Sequence, residues 1–89
     1  MTKRVFSIVN EKGLHARASA KFVEVVEAHE GRATVSKDGM EVSGDSIMGL
    51  LMLAASRGTS IEVETSGADA TALADALEAL VANRFGEDY

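Results

Sequence analysis

The chain has 89 residues, no cysteine and a formal net charge of -5 at pH 7. This length fits a single domain, residues 1–89, with a small core, and the lack of cysteine excludes a disulfide framework or a thiolate metal site. One tyrosine, three phenylalanines and no tryptophan on an acidic chain argue against a nucleic-acid partner, which needs a basic surface and usually stacking rings.

The N-terminal segment MTKRVFSIVNEKG lacks the apolar centre and the small-residue cleavage site of a secretory signal. The longest apolar run lies within SIMGLLMLAAS and is much shorter than the ~20 residues that span a bilayer. We therefore expect a cytoplasmic protein without membrane insertion.

The first half of the chain predicts a strand, a helix and a hairpin. KRVFSIV, from Lys3 to Val9, alternates apolar and polar side chains as a half-buried strand does. From Ala16 to Ala28 the apolar residues recur with helical spacing. RATVSK and MEVS flank the Asp-Gly pair of KDGM, so Arg32 to Ser43 is predicted as a β-hairpin. The predicted core side chains of these elements are Phe6, Ile8, Ser19, Phe22, Val23, Val26, Ala33, Val35, Met40 and Val42.

The second half predicts a helix, a strand and a third helix. Ser46 to Ser56 follows the helical spacing of apolar residues, and SIEVETS alternates, with Glu62 and Glu64 on a face that meets water. SGADATALADALEALVANRFG predicts a helix opened by a Ser66 and Asp69 cap pair and closed by the last glycine. The apolar stripe of the second predicted helix is Ile47, Leu50, Leu51 and Ala54. The predicted core side chains of the later elements are Ile61, Val63, Leu73, Leu77, Leu80 and Val81.

The predicted order of elements is therefore β-α-β-β-α-β-α. Alternating helices and short amphipathic strands of this kind favour an α+β domain. We expect a four-stranded, mainly antiparallel sheet with three helices covering one face.

His15 lies between a glycine turn and the first helix. The first backbone N–H groups of a helix lack intrahelical partners and the macrodipole is positive there, so this position attracts anions. Arg17 adds a forked set of donors, and imidazole can form covalent intermediates as a nucleophile. The pattern fits a phosphorylated histidine, although the spacing alone favours a histidine that only caps the helix or lies on the surface.

Two linked motifs, GLHARASAKFV and GDSIMGLLMLAASRG, resemble those of the histidine-containing phosphocarrier family, HPr and its nitrogen-branch relatives, of the phosphoenolpyruvate-dependent phosphotransferase system. The resemblance spans essentially the whole chain and implies an open-faced β-sandwich. It also implies that His15 is phosphorylated on Nδ1 by phosphorylated enzyme I and passes the group to a IIA protein, while Arg17 steadies the phosphoryl oxygens. The chain departs from the family at Ala18, where proline is usual.

In the same comparison, Ser46 matches the regulatory serine that an HPr kinase/phosphorylase modifies in some bacteria. From sequence alone, a serine that opens an apolar helix is a cap. A phosphate there would add about -1.5 to -2 charge beside a surface that partners touch. Because the second predicted helix is apolar nearly all round, we expect Ile47, Met48 and Leu51 to form a partner-binding surface, the alternative being that all of them are core.

Two other functions remain open. The chain could be a regulatory adaptor that acts mainly through Ser46, or an acyl carrier protein, since those are also small, acidic and cysteine-free and GDSIMGLL resembles their attachment site. Acyl carriers are helical bundles, so the predicted strands argue against the second. No second base, metal cluster or phosphate-binding glycine loop accompanies His15, so we expect no enzyme, metal or cofactor.

We also expect a monomer whose partners are enzyme I and a IIA protein, with an HPr kinase/phosphorylase as a third. The sequence does not distinguish a sugar-transport role from a nitrogen or potassium regulatory role.

Overall fold

The computed structural model describes residues 1–87, and its elements follow the predicted order. They are β1 (Thr2–Ser7), α1 (Ala16–Glu27), β2 (Arg32–Lys37), β3 (Met40–Ser43), α2 (Ile47–Met52), β4 (Ser60–Ser66) and α3 (Ala70–Ala82), with a 3₁₀ turn at Arg84–Gly86. Within the described residues no helix is long and apolar enough to cross a membrane.

The four strands form one sheet in the order β1-β4-β2-β3, with every neighbouring pair antiparallel. The register places the buried side chains of adjacent strands opposite each other, as with Phe6 and Ile61 or Val35 and Val63. A shift of one residue would turn these side chains to the other face, so burial fixes the register.

One core lies between this sheet and the three helices. It contains all the apolar residues predicted for α1 and β4, and its helical members include Phe22, Leu50, Leu73 and Leu77, each with 0 % exposure. On the opposite face of the sheet, Lys3 Nζ lies 3.2 Å from Glu62 Oε1. The predicted α+β architecture, with helices on one face, is therefore confirmed. Met40 was predicted to be core, but it is 42 % exposed beside the hairpin turn.

Helix α2 is shorter than predicted. It ends at Met52 because Ala54 adopts φ +51, in the left-handed region, where an alanine costs roughly 1 to 2 kcal/mol. This break turns Leu53 and Ala55 into the core. Leu50 is the buried member of the predicted apolar stripe, and the other three members are exposed: Ile47, Leu51 and Ala54. The alternative that the whole stripe is core is therefore wrong.

The start of α3 also differs from the prediction. Ser66 ends β4, and Asp69 is the N-cap residue, but its carboxylate accepts a hydrogen bond at 2.9 Å from the Glu30 N–H instead of from the helix. The predicted cap pair is therefore wrong. The bond ties the start of α3 to the connection after α1. Gly67 has φ +100, and a Cβ there would lie 2.7 Å from the Gly31 Cα, so this approach requires glycine.

The chain leaves α3 through a tight turn that sequence periodicity did not reveal. The helix ends at Ala82, and Arg84 and Phe85 then adopt φ +56 and +55. Left-handed backbone costs roughly 1 to 2 kcal/mol at a residue other than glycine. Phe85 is fully buried, with 0 % exposure, and Lys21 Nζ donates a 2.7 Å hydrogen bond to its carbonyl. These two contacts hold the turn and bring Glu87, two residues after Phe85, back to the start of α1.

Candidate functional site

His15 is the N-cap residue of α1. Its backbone is extended (φ -80, ψ -177), and its Nδ1 accepts a hydrogen bond at 3.3 Å from the Arg17 N–H. The first hydrogen bond of the helical ladder runs from the Ser19 N–H to the His15 carbonyl at 2.8 Å. The N–H groups of Ala16, Arg17 and Ala18 therefore precede the ladder, and the imidazole Nδ1 lies at this electropositive end.

The loop before His15 is fixed by close packing against the segment that follows α2. Gly13 has φ +65, and a Cβ there would lie 2.4 Å from the Ala55 carbonyl oxygen, so glycine is required. The next residue, Leu14, is buried and donates its N–H to the same Ala55 carbonyl at 2.9 Å. His15 consequently borders a shallow depression of about 220 Å³, lined also by Lys12, Leu14, Ala54, Ala55 and Ser56.

The second ring nitrogen of His15 has a partner that the sequence analysis missed. His15 Nε2 lies 2.7 Å from Glu87 Oε2, and the side chains are 26 % and 7 % exposed. Asn10 Nδ2 holds the other oxygen of this carboxylate, Oε1, at 2.8 Å, and also donates to the Gly13 carbonyl at 2.8 Å. Asn10 itself is fully buried, with 0 % exposure. A buried amide thus links Glu87 to the loop that carries the histidine.

The environment of Glu87 favours its charged form. Burial of the carboxylate acts to raise the pKa of Glu87, but the hydrogen bonds from Asn10 and His15 and the charges of His15 and Lys12 outweigh this effect. The pKa of Glu87 therefore lies below its ordinary value of 4.5. At neutral pH, His15 Nε2 faces a carboxylate anion.

The predicted residue Arg17 lies beside His15, and its side chain is exposed. Only its backbone N–H contacts the imidazole. The guanidinium is therefore available to an anion that binds at the start of α1. Residues 1–87 include no group of three or more His, Cys, Asp or Glu side chains that could hold a metal ion.

Ser46 is the N-cap residue of α2. Its Oγ accepts a hydrogen bond from the Gly49 N–H at 3.0 Å, which confirms the capping interpretation. A Cβ at Gly49 would lie 3.0 Å from the Val42 Cβ, so the small residue lets α2 pack closely against β3. The neighbouring Asp45 accepts a hydrogen bond from the Ser43 hydroxyl.

Helix α2 carries an exposed apolar patch, which we name the α2 surface. Its members and their exposed fractions are Ile47 (40 %), Met48 (71 %), Leu51 (37 %) and Met52 (64 %). The three residues expected to form a partner-binding surface are all exposed, which contradicts the alternative that all of them are core. The contribution of Ile47, Met48 and Leu51 to partner binding stays a prediction.

Comparison with known proteins gives a consistent result. A family model described as the PTS HPr component phosphorylation site matches residues 2–83. The phosphocarrier protein HPr of Cupriavidus necator is 46 % identical over 87 residues, 98 % of each chain. That of Neisseria meningitidis serogroup B is 47 % identical over 87 residues, again 98 % of each.

Solved structures agree with the sequence relatives. HPr-C-His from Thermoanaerobacter tengcongensis has a TM-score of 0.95 at 34 % identity and covers 100 % of both chains. An HPr dimer from the same organism has a TM-score of 0.77 at 34 % identity, covering 98 % of this chain and 100 % of that one. The chain therefore belongs to the HPr family, the phosphocarrier proteins of the phosphotransferase system. The four-stranded sheet and this membership contradict the acyl-carrier alternative.

Proposed function

We propose that this chain accepts a phosphoryl group from enzyme I on His15 Nδ1 and passes it to a IIA protein. The observation that carries the proposal is the position of Nδ1 at the N-terminus of α1, ahead of the hydrogen-bonded ladder. When Nδ1 bonds to phosphorus it no longer accepts from the Arg17 N–H, and the unpaired N–H groups of the first turn then face phosphoryl oxygens. The exposed Arg17 guanidinium supplies further charge-assisted hydrogen bonds to the same oxygens.

Enzyme I and the IIA protein are proposed to dock on the α2 surface as well as on His15. Ala54 and Ala55, just beyond α2, line the same depression as His15. A partner that reaches the imidazole therefore meets the end of this helix. Exposed methionines adapt to partners of different shape, which suits a carrier that must bind two proteins in turn. Ile47, Met48 and Leu51 are the proposed contact residues.

Ser46 is the proposed regulatory site, modified by an HPr kinase/phosphorylase. Its hydroxyl lies at the N-terminus of the helix that carries the α2 surface, so a phosphate would place negative charge at the edge of the docking region. The helix end tolerates this charge, because an anion at a helix N-terminus is favourable. The modification would therefore change binding more than folding.

The remaining parts of the proposal are a cytoplasmic location and a monomeric state. The lack of cysteine supports the first, because reduced compartments disfavour disulfides. A relative is described as an HPr dimer, so the second is to be tested by light scattering over a range of concentrations.

The decisive experiment incubates the purified chain with enzyme I and labelled phosphoenolpyruvate and then maps the label. We expect an acid-labile label that is lost in His15→Ala. The chain has only two histidines, so His29→Ala is a matched control and should keep the label. His29 Nδ1 lies 2.8 Å from the Val25 carbonyl, outside the site.

Two outcomes would contradict the phosphocarrier role of His15. One is a label that persists in His15→Ala, and the other is a label that survives acid as a phosphoester does. Ser46→Ala should still accept the label. An adaptor acting only through Ser46 would take no label from phosphoenolpyruvate in any variant.

A further inference from the structure

The two ring nitrogens of His15 face partners of opposite kind. Nδ1 lies 3.3 Å from the Arg17 N–H, which can only donate, so Nδ1 carries a lone pair. Nε2 lies 2.7 Å from a carboxylate oxygen of Glu87, which accepts, so Nε2 carries the proton. These contacts select the tautomer in which Nδ1 is the nucleophilic nitrogen.

Glu87 is held too firmly for this contact to be incidental. Its side chain is 7 % exposed, and its second oxygen is bound by the fully buried Asn10. Two residues earlier, Phe85 is buried and its carbonyl is bound by Lys21. The carboxylate is thus fixed both by the loop before His15 and by the turn after α3. A charged group that is buried but fully hydrogen-bonded retains its charge and its position.

We propose that Glu87 is the positioning residue of the phosphocarrier site: its carboxylate keeps the proton on Nε2 and then holds the positive ring that forms when Nδ1 is phosphorylated. This inference rests on the proposed role of His15. Glu87 acts through the imidazole, because its carboxylate lies at Nε2 and the bond to phosphorus forms at Nδ1.

The proposed step balances with no proton released. The Nδ1 lone pair forms the nitrogen–phosphorus bond while the bond between phosphorus and the donor breaks, and that electron pair stays on the donor. The proton remains on Nε2, so the phosphorylated ring carries a positive charge directly beside the Glu87 carboxylate. An opposite charge at hydrogen-bond distance favours the charged form. The protonated ring is also the better leaving group when phosphorus moves on to an acceptor.

Cations lie on the elements that surround the ring. Lys12 lies on the preceding loop and acts on Glu87, Arg17 lies in the first turn of α1, and Lys21 binds the Phe85 carbonyl beneath the tail. Cations disfavour a positive ring, and the Glu87 carboxylate at hydrogen-bond distance from the imidazole offsets them.

The test uses Glu87→Gln, which keeps the size of the side chain and removes its charge. In the unphosphorylated wild type, nitrogen-resolved NMR should show a slowly exchanging proton on His15 Nε2, and this proton should exchange at least ~10-fold faster in Glu87→Gln. In the phosphorylated proteins, the pH midpoint of phosphohistidine hydrolysis should fall by ~1 unit in the variant, because the ring loses its proton more readily.

Two further variants separate positioning from general charge and packing effects. Glu27→Gln makes the same charge change at an exposed position near the end of α1 and should leave both measurements as in the wild type. Glu87→Asp keeps the charge and should restore most of the pH midpoint. If the role of Glu87 were purely structural, Glu87→Gln would not shift the pH midpoint of hydrolysis. Glu87→Asp would then have no shift to restore.

The outcomes distinguish this inference from the proposed function. Equal proton exchange and equal pH midpoints in wild type and Glu87→Gln, with the wild type labelled on His15, would overturn the role of Glu87 alone. A wild type that takes no label on His15 would overturn the phosphocarrier role, and the exchange measurement on the unphosphorylated ring would still decide whether Glu87 holds the Nε2 proton.

Discussion

Helices α1 and α2 both begin at a residue whose side chain accepts a hydrogen bond from the first turn, but the two caps differ. His15 Nδ1 accepts at 3.3 Å from Arg17, whereas Ser46 Oγ accepts at 3.0 Å from Gly49. The His15 bond is longer than an ordinary N–H hydrogen bond, so little is lost when Nδ1 bonds to phosphorus. The ring also has a second anchor in Glu87, and in the proposed mechanism this contact remains while Nδ1 reacts.

The surroundings of the two caps differ as well. In the first turn after His15, Arg17 is exposed and Ala18 is buried. The helix that follows Ser46 carries the exposed apolar α2 surface instead. A reacting group needs a fixed orientation, and a docking surface needs exposed area. The difference between the two caps supports the proposals of transfer chemistry at the start of α1 and of partner control at the start of α2.

The largest expected effect tests whether charge at α2 controls the chemistry at α1. Ser46→Asp should slow phosphorylation of His15 by enzyme I roughly tenfold, because it places a negative charge beside the docking surface. Aspartate is itself a good N-cap residue, so stability should change little. The initial rate of label transfer measures the effect. Ser46→Asn also keeps a cap but adds no charge, and its rate should match the wild type. Equal rates for the two variants would remove the regulatory role.

The next prediction asks whether the α2 surface is an interface. Met48→Glu should weaken enzyme I binding by more than ~1 kcal/mol, as expected at an interface anchor. Calorimetric titration gives this value. Met48 is 71 % exposed, so the denaturant midpoint should stay the same. Met40→Glu makes the same change on the exposed hairpin and should bind normally. If both variants bind like the wild type, docking lies elsewhere.

A third prediction sharpens the assignment of the α1 start. Ala18→Pro should stabilise the protein by ~0.4 to 1 kcal/mol, raising the melting temperature by roughly 2 to 8 °C, because the Ala18 N–H precedes the helical ladder and proline restricts the unfolded chain. Ala20→Pro lies within the ladder and should cost ~3 kcal/mol. Thermal unfolding measures both. A melting temperature several degrees lower in Ala18→Pro would mean that this N–H is bonded or that the buried site cannot hold the ring.

The smallest effect is a pH dependence of stability. The folded-state pKa of Glu87 lies below its ordinary value of 4.5, so its stabilisation is fully present above that value and is lost as the pH falls through the folded pKa. Wild type should therefore melt about 1 to 2 °C above Glu87→Gln at neutral pH. This gap should close in acid. A gap that is the same at both pH values would show that the carboxylate charge does not contribute.

Periodicity predicted the elements that bury a regular face. All four strands and the first helix were placed within about two residues, because one apolar face per element must meet the core. At α2 the same periodicity gave the wrong helix end, because of the backbone conformation of Ala54. An alanine in the left-handed region has no sequence signature, so the helix seemed to extend to Ser56 while it ends at Met52. Tertiary packing, which buries Leu53 and Ala55, overrides local preference there.

The candidate site was predicted only in part. His15, Arg17 and Ser46 lie at helix starts that local signals mark. Glu87 is 72 residues from His15, and it reaches the ring through two left-handed residues other than glycine. Local spacing carries no information about such a contact. The sequence analysis placed Phe85 inside the predicted third helix, whereas the helix ends at Ala82 and the phenylalanine is buried in the turn that follows.

The distance along the chain between His15 and Glu87 also matters during protein synthesis. Ribosomes add about 5 to 20 residues per second, so the carboxylate is made roughly 4 to 14 s after the imidazole that it holds. Strand β1 likewise cannot pair with its neighbour β4 until that strand has been synthesised, after α2. The anchored histidine is therefore a late product of translation. A chain terminated before residue 87 would still contain α1 and its histidine, but the ring would lack its carboxylate.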